Sequence, residues 1–273
     1  MLNIATVSMM RCYGVNRASK KARIEVLLQI LESSDAPDLI VCASDYFSSK
    51  KHLEEFSNII KDTGGRSTHI VTTVGSSRKG KEYQKKFSAK YKRNDQVYVI
   101  FPDGTYRQLA QQCFSTRENY RVGEAAFINS LENRTFKLPI GEKNLSCSVL
   151  SCGEINAFHG RDHVVPIHSE IGKYFNHIDI ICNPTHDRMG NDGTLHAKRL
   201  YLSRKIGTRH RCYIGVSNWE VGSKSQAKDA ETLHSIYSSK FGKGYGRRNE
   251  TAERQSVEGF DEIFEYRRST VSF

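Results

Sequence analysis

The 273-residue sequence predicts an α/β protein built as a layered sandwich, with sheets inside and helices outside. Short apolar runs typical of buried strands alternate with amphipathic helical segments, and hairpin signals interrupt this β-α-β order. Hydrophobic residues make up 38% of the chain, and no stretch approaches the ~18 consecutive apolar residues that a membrane-spanning helix needs. We therefore expect a globular protein without a transmembrane segment.

The first part of the chain alternates strands and helices. Residues 2–9 predict a strand, and the amphipathic pattern over 18–34 predicts a helix. The apolar run 36–44 follows a proline and is typical of a buried strand. Residues 50–65 predict a second helix closed by a glycine pair, and 68–75 a further strand.

The later part mixes hairpins with β-α units. Residues 96–109 predict a hairpin around Pro-Asp-Gly, a turn sequence with a defined backbone preference. Residues 134–152 predict two strands, and 177–185 a short buried strand ended by Asn-Pro. A helix over 193–211 and a strand over 212–219 complete this part.

The chain shows neither an internal repeat nor a long linker, so residues 1–273 predict a single domain. We expect a mobile segment near 240–256, which is rich in glycine and charge. The alternating pattern over 260–270 predicts a C-terminal strand at the edge of a sheet.

The cysteines indicate a reducing compartment. There are seven, an odd number, and no two have a C-x-x-C spacing. Cys42, Cys147, Cys182 and Cys212 fall in strand-like apolar runs, where a reduced cysteine packs as a small hydrophobe. The N-terminus begins as a strand rather than as a secretory signal. We therefore expect a cytoplasmic protein.

The basic excess is concentrated in one stretch. The net charge is +11, and residues 78–93 hold eight Lys or Arg against one Glu. Tyr83, Phe87 and Tyr91 recur there at helical spacing, which favours a solvated surface helix docked by its aromatic side. The alternative is a patch for an anionic partner such as nucleic acid, although no recognisable nucleic-acid-binding module accompanies it.

Several segments, taken in chain order, are similar to motifs of the nitrilase, or carbon–nitrogen hydrolase, superfamily. The segments are "APDLIVCASDYFSS" (36–49), "NDQVYVIFPDGTYRQLAQQCFSTRENYRVGE" (94–124), "FKLPIGEKNLSCSVLSCGEINAF" (136–158), "IDIICNPT" (178–185), "YLSRKIGTRHRCYIGVSNWEVG" (201–222), "SIYSSKFGKG" (235–244) and "VEGFDEIFEYRR" (257–268). The resemblance implies a four-layer α-β-β-α sandwich with mixed sheets and outer helices. It also implies a homodimer.

The resemblance implies chemistry on a non-peptide C–N bond of a small amide or nitrile-like substrate. Such proteins use a Cys nucleophile, a Glu general base and a Lys that stabilises the oxyanion, with a second Glu beyond the Lys. A thiol must lose its proton to attack, and a carboxylate can take that proton and return it to the leaving nitrogen. The resemblance carries the nucleophile onto Cys152 and the second Glu onto Glu118.

Two members of the set are missing. In register, the base falls on Ser44, which is no carboxylate. Asp45 is adjacent and can serve only if the strand ends or bulges there, because one residue along a strand changes face. The Lys falls on Gln111, which carries no charge. Asp45 or Glu154 is then the expected base, with Gln111 or Arg107 as polar help.

Two functions follow from this pattern. The first is a divergent hydrolase that forms a thioester at Cys152, and the alternative is an inactive relative that binds a ligand or partner. His159, seven residues after Cys152, is a further candidate partner for the thiol. The spacing of His186, Asp187, Asp192 and His196 matches no metal-ligand pattern, so we expect neither metal nor cofactor.

Overall fold

The computed structural model describes residues 1–12, 15–64, 67–75, 95–116, 120–186, 192–221, 234–240, 247–248 and 252–273. Within them the chain forms two mixed sheets that pack face to face, with helices on both outer faces. This is the α-β-β-α sandwich that the sequence predicts. In the described part of the chain, every helix is too short or too polar to cross a membrane.

The first sheet has the strand order β16-β17-β1-β3-β4-β5-β6, and β2 and β13 add to β1. Strands β1, β3 and β4 run parallel, whereas β5, β6, β16 and β17 pair in antiparallel fashion. The strands are β1 (Leu2–Cys12), β2 (Val15–Asn16), β3 (Leu39–Cys42), β4 (His69–Val74), β5 (Gln96–Ile100), β6 (Tyr106–Gln111), β13 (Trp219–Val221), β16 (Glu253–Gln255) and β17 (Phe264–Val271).

The second sheet has the strand order β15-β14-β12-β11-β8-β7, in which β8, β11 and β12 run parallel. Its strands are β7 (Thr135–Ile140), β8 (Lys143–Val149), β11 (Ile180–Thr185), β12 (Cys212–Ser217), β14 (His234–Ser238) and β15 (Arg247–Arg248). A separate small hairpin consists of β9 (Phe158–His159) and β10 (Val165–Pro166).

The first two helices, α1 (Lys20–Glu32) and α2 (Lys50–Thr63), begin where the sequence offers a capping serine. Ser19 accepts a hydrogen bond from the backbone of α1, Ser49 does the same for α2, and Gly64 ends α2 at φ 80°. The helices are α1 (Lys20–Glu32), α2 (Lys50–Thr63), α3 (Tyr120–Asn129), α4 (Ser169–Phe175) and α5 (Asp192–Ser203), with short 3-10 helices at Glu132–Arg134 and Cys152–Ala157.

The core has three layers because successive strand residues face opposite sides of a sheet. On β3, Leu39 and Val41 point between the two sheets, whereas Ile40 and Cys42 point toward α1 and α2. The outer face of the second sheet carries α3, α4 and α5. The four strand cysteines are fully buried and unbridged as predicted, and burial raises the pKa of each thiol.

Two sequence expectations need correction, and others concern residues that the structure does not describe. The C-terminal strand is not at an edge, because β17 lies between β1 and β16. The helix predicted over 193–211 ends at Ser203, and a bridge between Ile206 and Arg209 follows it. The basic stretch 78–93 and most of segment 240–256 lie outside the described residues.

Candidate active site

The candidate site lies where the two sheets present their parallel strand ends at the same edge. The strands β3, β8 and β11 end at Cys42, Val149 and Thr185, and each is followed within three residues by a residue of the site. The backbone N–H of Ser44 donates to the Thr185 carbonyl across the two sheets at 3.0 Å. Loops at the carboxyl ends of strands are where an α/β fold concentrates functional side chains.

Cys152 follows β8 and begins a 3-10 helix. Its side chain is 6% exposed, and its backbone has φ 29°, a left-handed conformation that a cysteine seldom adopts. Non-glycine residues in this region persist where their surroundings over-determine them, and such positions cluster at active sites. The conformation therefore marks Cys152 as different from the four core cysteines.

Asp45 lies beyond the end of its strand, which is the condition under which its side chain could serve as the base. Strand β3 ends at Cys42, and Asp45 has φ 60°, so its side chain is no longer tied to the strand alternation. Its carbonyl accepts hydrogen bonds from Asn16 and Arg23. A Cβ at Gly75 would lie 1.7 Å from Asp45 Oδ1, so any residue other than glycine at position 75 would clash with this carboxylate.

His186 immediately follows β11, and its ring lies between two carboxylates. Nε2 is 2.9 Å from Asp45 Oδ2, and Nδ1 is 3.2 Å from Asp95 Oδ2. The Asp95 contact is one of charge rather than a well-aligned hydrogen bond. Asp95 reaches the site because it directly precedes β5, whose start lies at the edge where the antiparallel β4 ends. The Cys152 side chain interacts with the same ring and helps to raise its pKa.

The surroundings of His186 favour its charged form. Burial by itself would lower the pKa of this imidazole, but the carboxylates of Asp95 and Asp45 and the hydrogen bonds to Asp45 and Cys152 outweigh it. Together they raise the pKa of His186 to about 10. The site therefore holds an imidazolium against the thiol at neutral pH.

Asp45, Asp95 and His186 also have the mutual spacing of metal ligands, within 4.8 Å of one another. A histidine that binds a metal must present a bare ring nitrogen to the ion. Here each ring nitrogen faces a carboxylate, which is the arrangement of a charge-paired imidazolium. The donor set thus fits proton transfer better than metal binding.

Glu154 has a structural role in the described contacts. Its carboxylate forms a bidentate ion pair with Arg134, with distances of 2.6 and 3.0 Å, and both side chains are 0% exposed. The same oxygens accept the backbone N–H groups of Ser151 and Cys113. Both carboxylate oxygens are thus occupied by these four donors, so the geometry does not support Glu154 as the base.

The other candidates from the sequence make different contacts from those of the Asp45–His186–Asp95 cluster, or lie outside the described residues. Gln111 is on the exposed side of β6, whereas its neighbour Gln112 is buried and its side chain donates to the Phe114 carbonyl. Arg107 donates to the Thr135 carbonyl. His159 belongs to the small β9–β10 hairpin, and Glu118 lies outside the described residues.

A buried ammonium contacts the 3-10 helix that begins at Cys152, although the sequence offers no lysine in register. Lys198 on α5 is 5% exposed, and its Nζ donates to Asn156 Oδ1 at 2.8 Å. Asn156 belongs to the same 3-10 helix as Cys152 and donates to the Ser115 carbonyl. A Cβ at Gly153 would lie 1.9 Å from that carbonyl oxygen, so the helix packs closely there.

Sequence reasoning missed the two partners that complete the cluster. In the sequence His186 lies among other polar residues and Asp95 precedes a predicted hairpin, so neither pattern indicates a catalytic residue. The available signal was positional: His186 directly follows a buried strand, as Cys152 nearly does. Because such strand ends meet at one edge of the sandwich, side chains at several of them become candidates together.

No protein-family model matches this sequence, and no curated protein does either. Solved structures match across nearly the whole chain. An amidase from Nesterenkonia sp. superposes with a TM-score of 0.52 at 12% identity, covering 98% of this chain and 90% of the amidase. A mutant of that amidase from strain AN1, described as a member of the nitrilase superfamily, gives a TM-score of 0.53 at 11% identity with the same coverage.

Another mutant structure of this amidase shows the acetamide moiety of fluoroacetamide covalently added at the active-site cysteine. It matches with a TM-score of 0.52 at 12% identity over the same shares of the two chains. At this level of identity the likeness establishes the fold. The chain thus has the fold of these amidases, as its motif order predicts.

Proposed function

We propose that this protein is a cysteine-dependent hydrolase of carbon–nitrogen bonds other than peptide bonds, acting on a small amide or nitrile-like substrate. The observation that carries the proposal is the His186 ring, held between Asp45 and Asp95 within reach of the Cys152 thiol. A thiol, an imidazole and an orienting carboxylate are the parts of an activated cysteine nucleophile.

The His186 ring then performs the proton transfer for which the sequence lacks a Glu in register, and its charge also acts on the thiol. As an imidazolium, His186 stabilises the Cys152 thiolate electrostatically, which is the effect a nearby cation has on a thiol. As an acid, it gives its proton to the departing nitrogen. Asp45 and Asp95 keep the ring oriented and charged between these steps.

For an amide the steps balance as follows. The Cys152 thiolate adds to the carbonyl carbon, the C–N bond breaks, and the amine leaves with the proton of His186. The products are an amine, a thioester at Cys152 and a neutral imidazole. The imidazole then takes a proton from water, whose hydroxide attacks the thioester and releases the acid. The thiolate and the imidazolium are restored.

The neighbours add support at the level of the fold. Those proteins are amidases, and one of them carries an adduct at its active-site cysteine. Because a fold hosts several functions, the proposal depends on this chain's own site. The site differs from the family pattern in using an imidazole for the proton transfer that the family's Glu performs.

Cys152→Ala tests the proposal against a panel of amides and nitriles. We expect the wild type to form an acyl adduct at Cys152, seen by mass spectrometry, and the variant to lose both the adduct and turnover. Cys113→Ala is the matched control, because Cys113 is partly exposed and burial raises the pKa of its thiol. No turnover and no adduct in any of the three proteins would favour the inactive, ligand-binding alternative, and equal turnover in all three would rule out Cys152 as the nucleophile.

A further inference from the structure

We propose that Asn183 and Tyr213 are positioning residues for Cys152. They fix the backbone that points the thiol at His186, although neither touches the reacting atoms. This inference rests on the proposed function, because it concerns the geometry of the same nucleophile. It assigns a task to buried polar groups that the proposed chemistry does not use.

The Asn183 amide bridges the backbone on both sides of the nucleophile. Its Nδ2 donates to the Leu150 carbonyl at 2.8 Å and to the Cys152 carbonyl at 3.2 Å. Carbonyl oxygens only accept hydrogen bonds, so the nitrogen must face them and the amide oxygen must point the other way. One side chain thereby holds the turn that leads from β8 into the 3-10 helix.

Tyr213 fixes the orientation of that amide. Its hydroxyl donates to Asn183 Oδ1 at 2.7 Å, and the side chain is 0% exposed. Burial raises the pKa of Tyr213 to about 12, so the hydroxyl keeps the proton that it donates. Asn183 and Tyr213 lie on the neighbouring parallel strands β11 and β12, which are rigid elements of the sheet.

The turn needs such support because Cys152 has φ 29°, where the backbone does not stay without external contacts. Asn183 lies only three residues before His186 and belongs to the strand that His186 follows. The nucleophile and its proton carrier are therefore held from a single strand end. If the Asn183 amide were free to rotate, its hydrogen bond to the Cys152 carbonyl would be lost and the thiol would move relative to the imidazolium.

The test compares two variants in which a buried tyrosine hydroxyl is removed. The two hydroxyl groups differ in their hydrogen-bond partners. Tyr213→Phe removes the hydroxyl that orients Asn183. Tyr237→Phe is the matched control, because Tyr237 is also buried and pairs directly with Tyr213, while its hydroxyl contacts His196. Asn183→Ala is the stronger variant, and thermal unfolding verifies that each protein is folded.

The readouts are the rate of Cys152 alkylation by iodoacetamide across pH and, with a substrate from the amide panel, kcat and KM. In Tyr213→Phe we expect alkylation and kcat to fall by about tenfold or more, since small misplacements of reacting groups cost up to ~10²-fold. KM stays the same, because the substrate contacts are not altered. Tyr237→Phe keeps wild-type values.

Each outcome decides a separate claim. Equal alkylation rates and pH profiles in Tyr213→Phe, Tyr237→Phe and the wild type, with a reactive Cys152, would overturn the positioning role alone. A wild-type Cys152 that reacts no faster than a free thiol would overturn the proposed function and this inference with it. An equal loss in both tyrosine variants would reduce the effect to general packing and contradict the inference.

Discussion

At the scale of single residues, the chemistry assigned to Cys152 depends on the charge of one imidazole. His186 stays protonated at neutral pH because Asp95 and Asp45 face its two ring nitrogens. Removing one carboxylate removes part of that stabilisation and lowers the pKa of the ring. The charge of His186, and thus the pH range of activity, is set by residues that do not react themselves.

Asp95→Asn tests this dependence. The pKa of His186 lies at about 10 in the wild type, so the imidazolium is lost only in alkaline solution. Without the Asp95 charge this loss moves to lower pH, and the alkaline limb of the rate profile moves with it. The measurement is the rate of amide hydrolysis across pH, since this step needs the His186 proton. Asp103→Asn, in the exposed turn between β5 and β6, keeps the wild-type profile, and an unmoved limb in Asp95→Asn would count against the account.

The sequence could predict some of these residues and not others. Cys152 and Asp45 are close in the chain to motif positions, so motif order was enough to find them. His186 and Asp95 are 34 residues after and 57 residues before Cys152 in the printed sequence. Only the strand pairing brings them together, and a single sequence does not give the relative placement of two sheets.

At the scale of elements, the 3-10 helix that begins at Cys152 is anchored by the Arg134–Glu154 ion pair. The carboxylate also accepts the N–H groups of Ser151 and Cys113, so it ties the helix start to the chain after β6. Removing one partner of a fully buried pair leaves the other charge uncompensated. The anchor therefore matters most when it is broken on one side.

Glu154→Gln is expected to lower the free energy of unfolding by about 3–5 kcal/mol, the usual cost of breaking a buried pair. Denaturant titration measures it. The control is Glu54→Gln, which removes the charge from the exposed Lys50–Glu54 pair and should cost at most about 1 kcal/mol. A Glu154→Gln protein as stable as the control would contradict the anchoring role.

The elements themselves were largely predictable because their signals are local. Ser19 and Ser49 cap α1 and α2 where the amphipathic patterns begin, and Pro-Asp-Gly marks the β5–β6 turn. The helix predicted over 193–211 was too long, since the chain turns away after Ser203 although its composition remains helix-compatible. Tertiary context decides such ends.

At the scale of the whole molecule, the pKa values of two buried histidines are shifted in opposite directions. His234 on β14 contacts Thr6 and Ser8 on β1, which joins the two sheets. Burial, helped by the charge of Arg267, lowers the pKa of His234 to about 3. The pKa of His186 is raised to about 10 instead, by its two carboxylates.

These shifts predict a stability maximum near the unfolded histidine pKa of ~6.5. Between about pH 3 and 6.5 the unfolded chain protonates His234 and the folded chain does not, so stability falls as pH falls. Between about 6.5 and 10 the folded chain keeps the His186 proton and the unfolded chain loses it, so stability falls as pH rises. Each group contributes a slope of about 1.4 kcal/mol per pH unit in its range.

Denaturant titrations at acidic, neutral and alkaline pH test the two slopes. His234→Gln should flatten the acidic side only, and His186→Gln the alkaline side only, so each variant serves as the control for the other. Unchanged slopes in both variants would contradict the assigned protonation states.

The global architecture followed from motif order, because the collinear segments reproduce one known sequence of strands and helices over the whole chain. A single domain, a homodimer, a cytoplasmic location and a nucleic-acid partner for residues 78–93 stay predictions. The mobility of segment 240–256 stays a prediction as well. The edge position of the C-terminal strand was wrong, since a periodic pattern gives a strand but not its neighbours.

The most direct test of the central claim is the rate at which iodoacetamide alkylates Cys152 at neutral pH, in the wild type and in His186→Asn. The account predicts rapid, saturable labelling of the wild type. In His186→Asn labelling is slower by at least about tenfold, because the imidazolium that favours the thiolate is gone. Equal rates in the two proteins would contradict the claim that His186 activates Cys152.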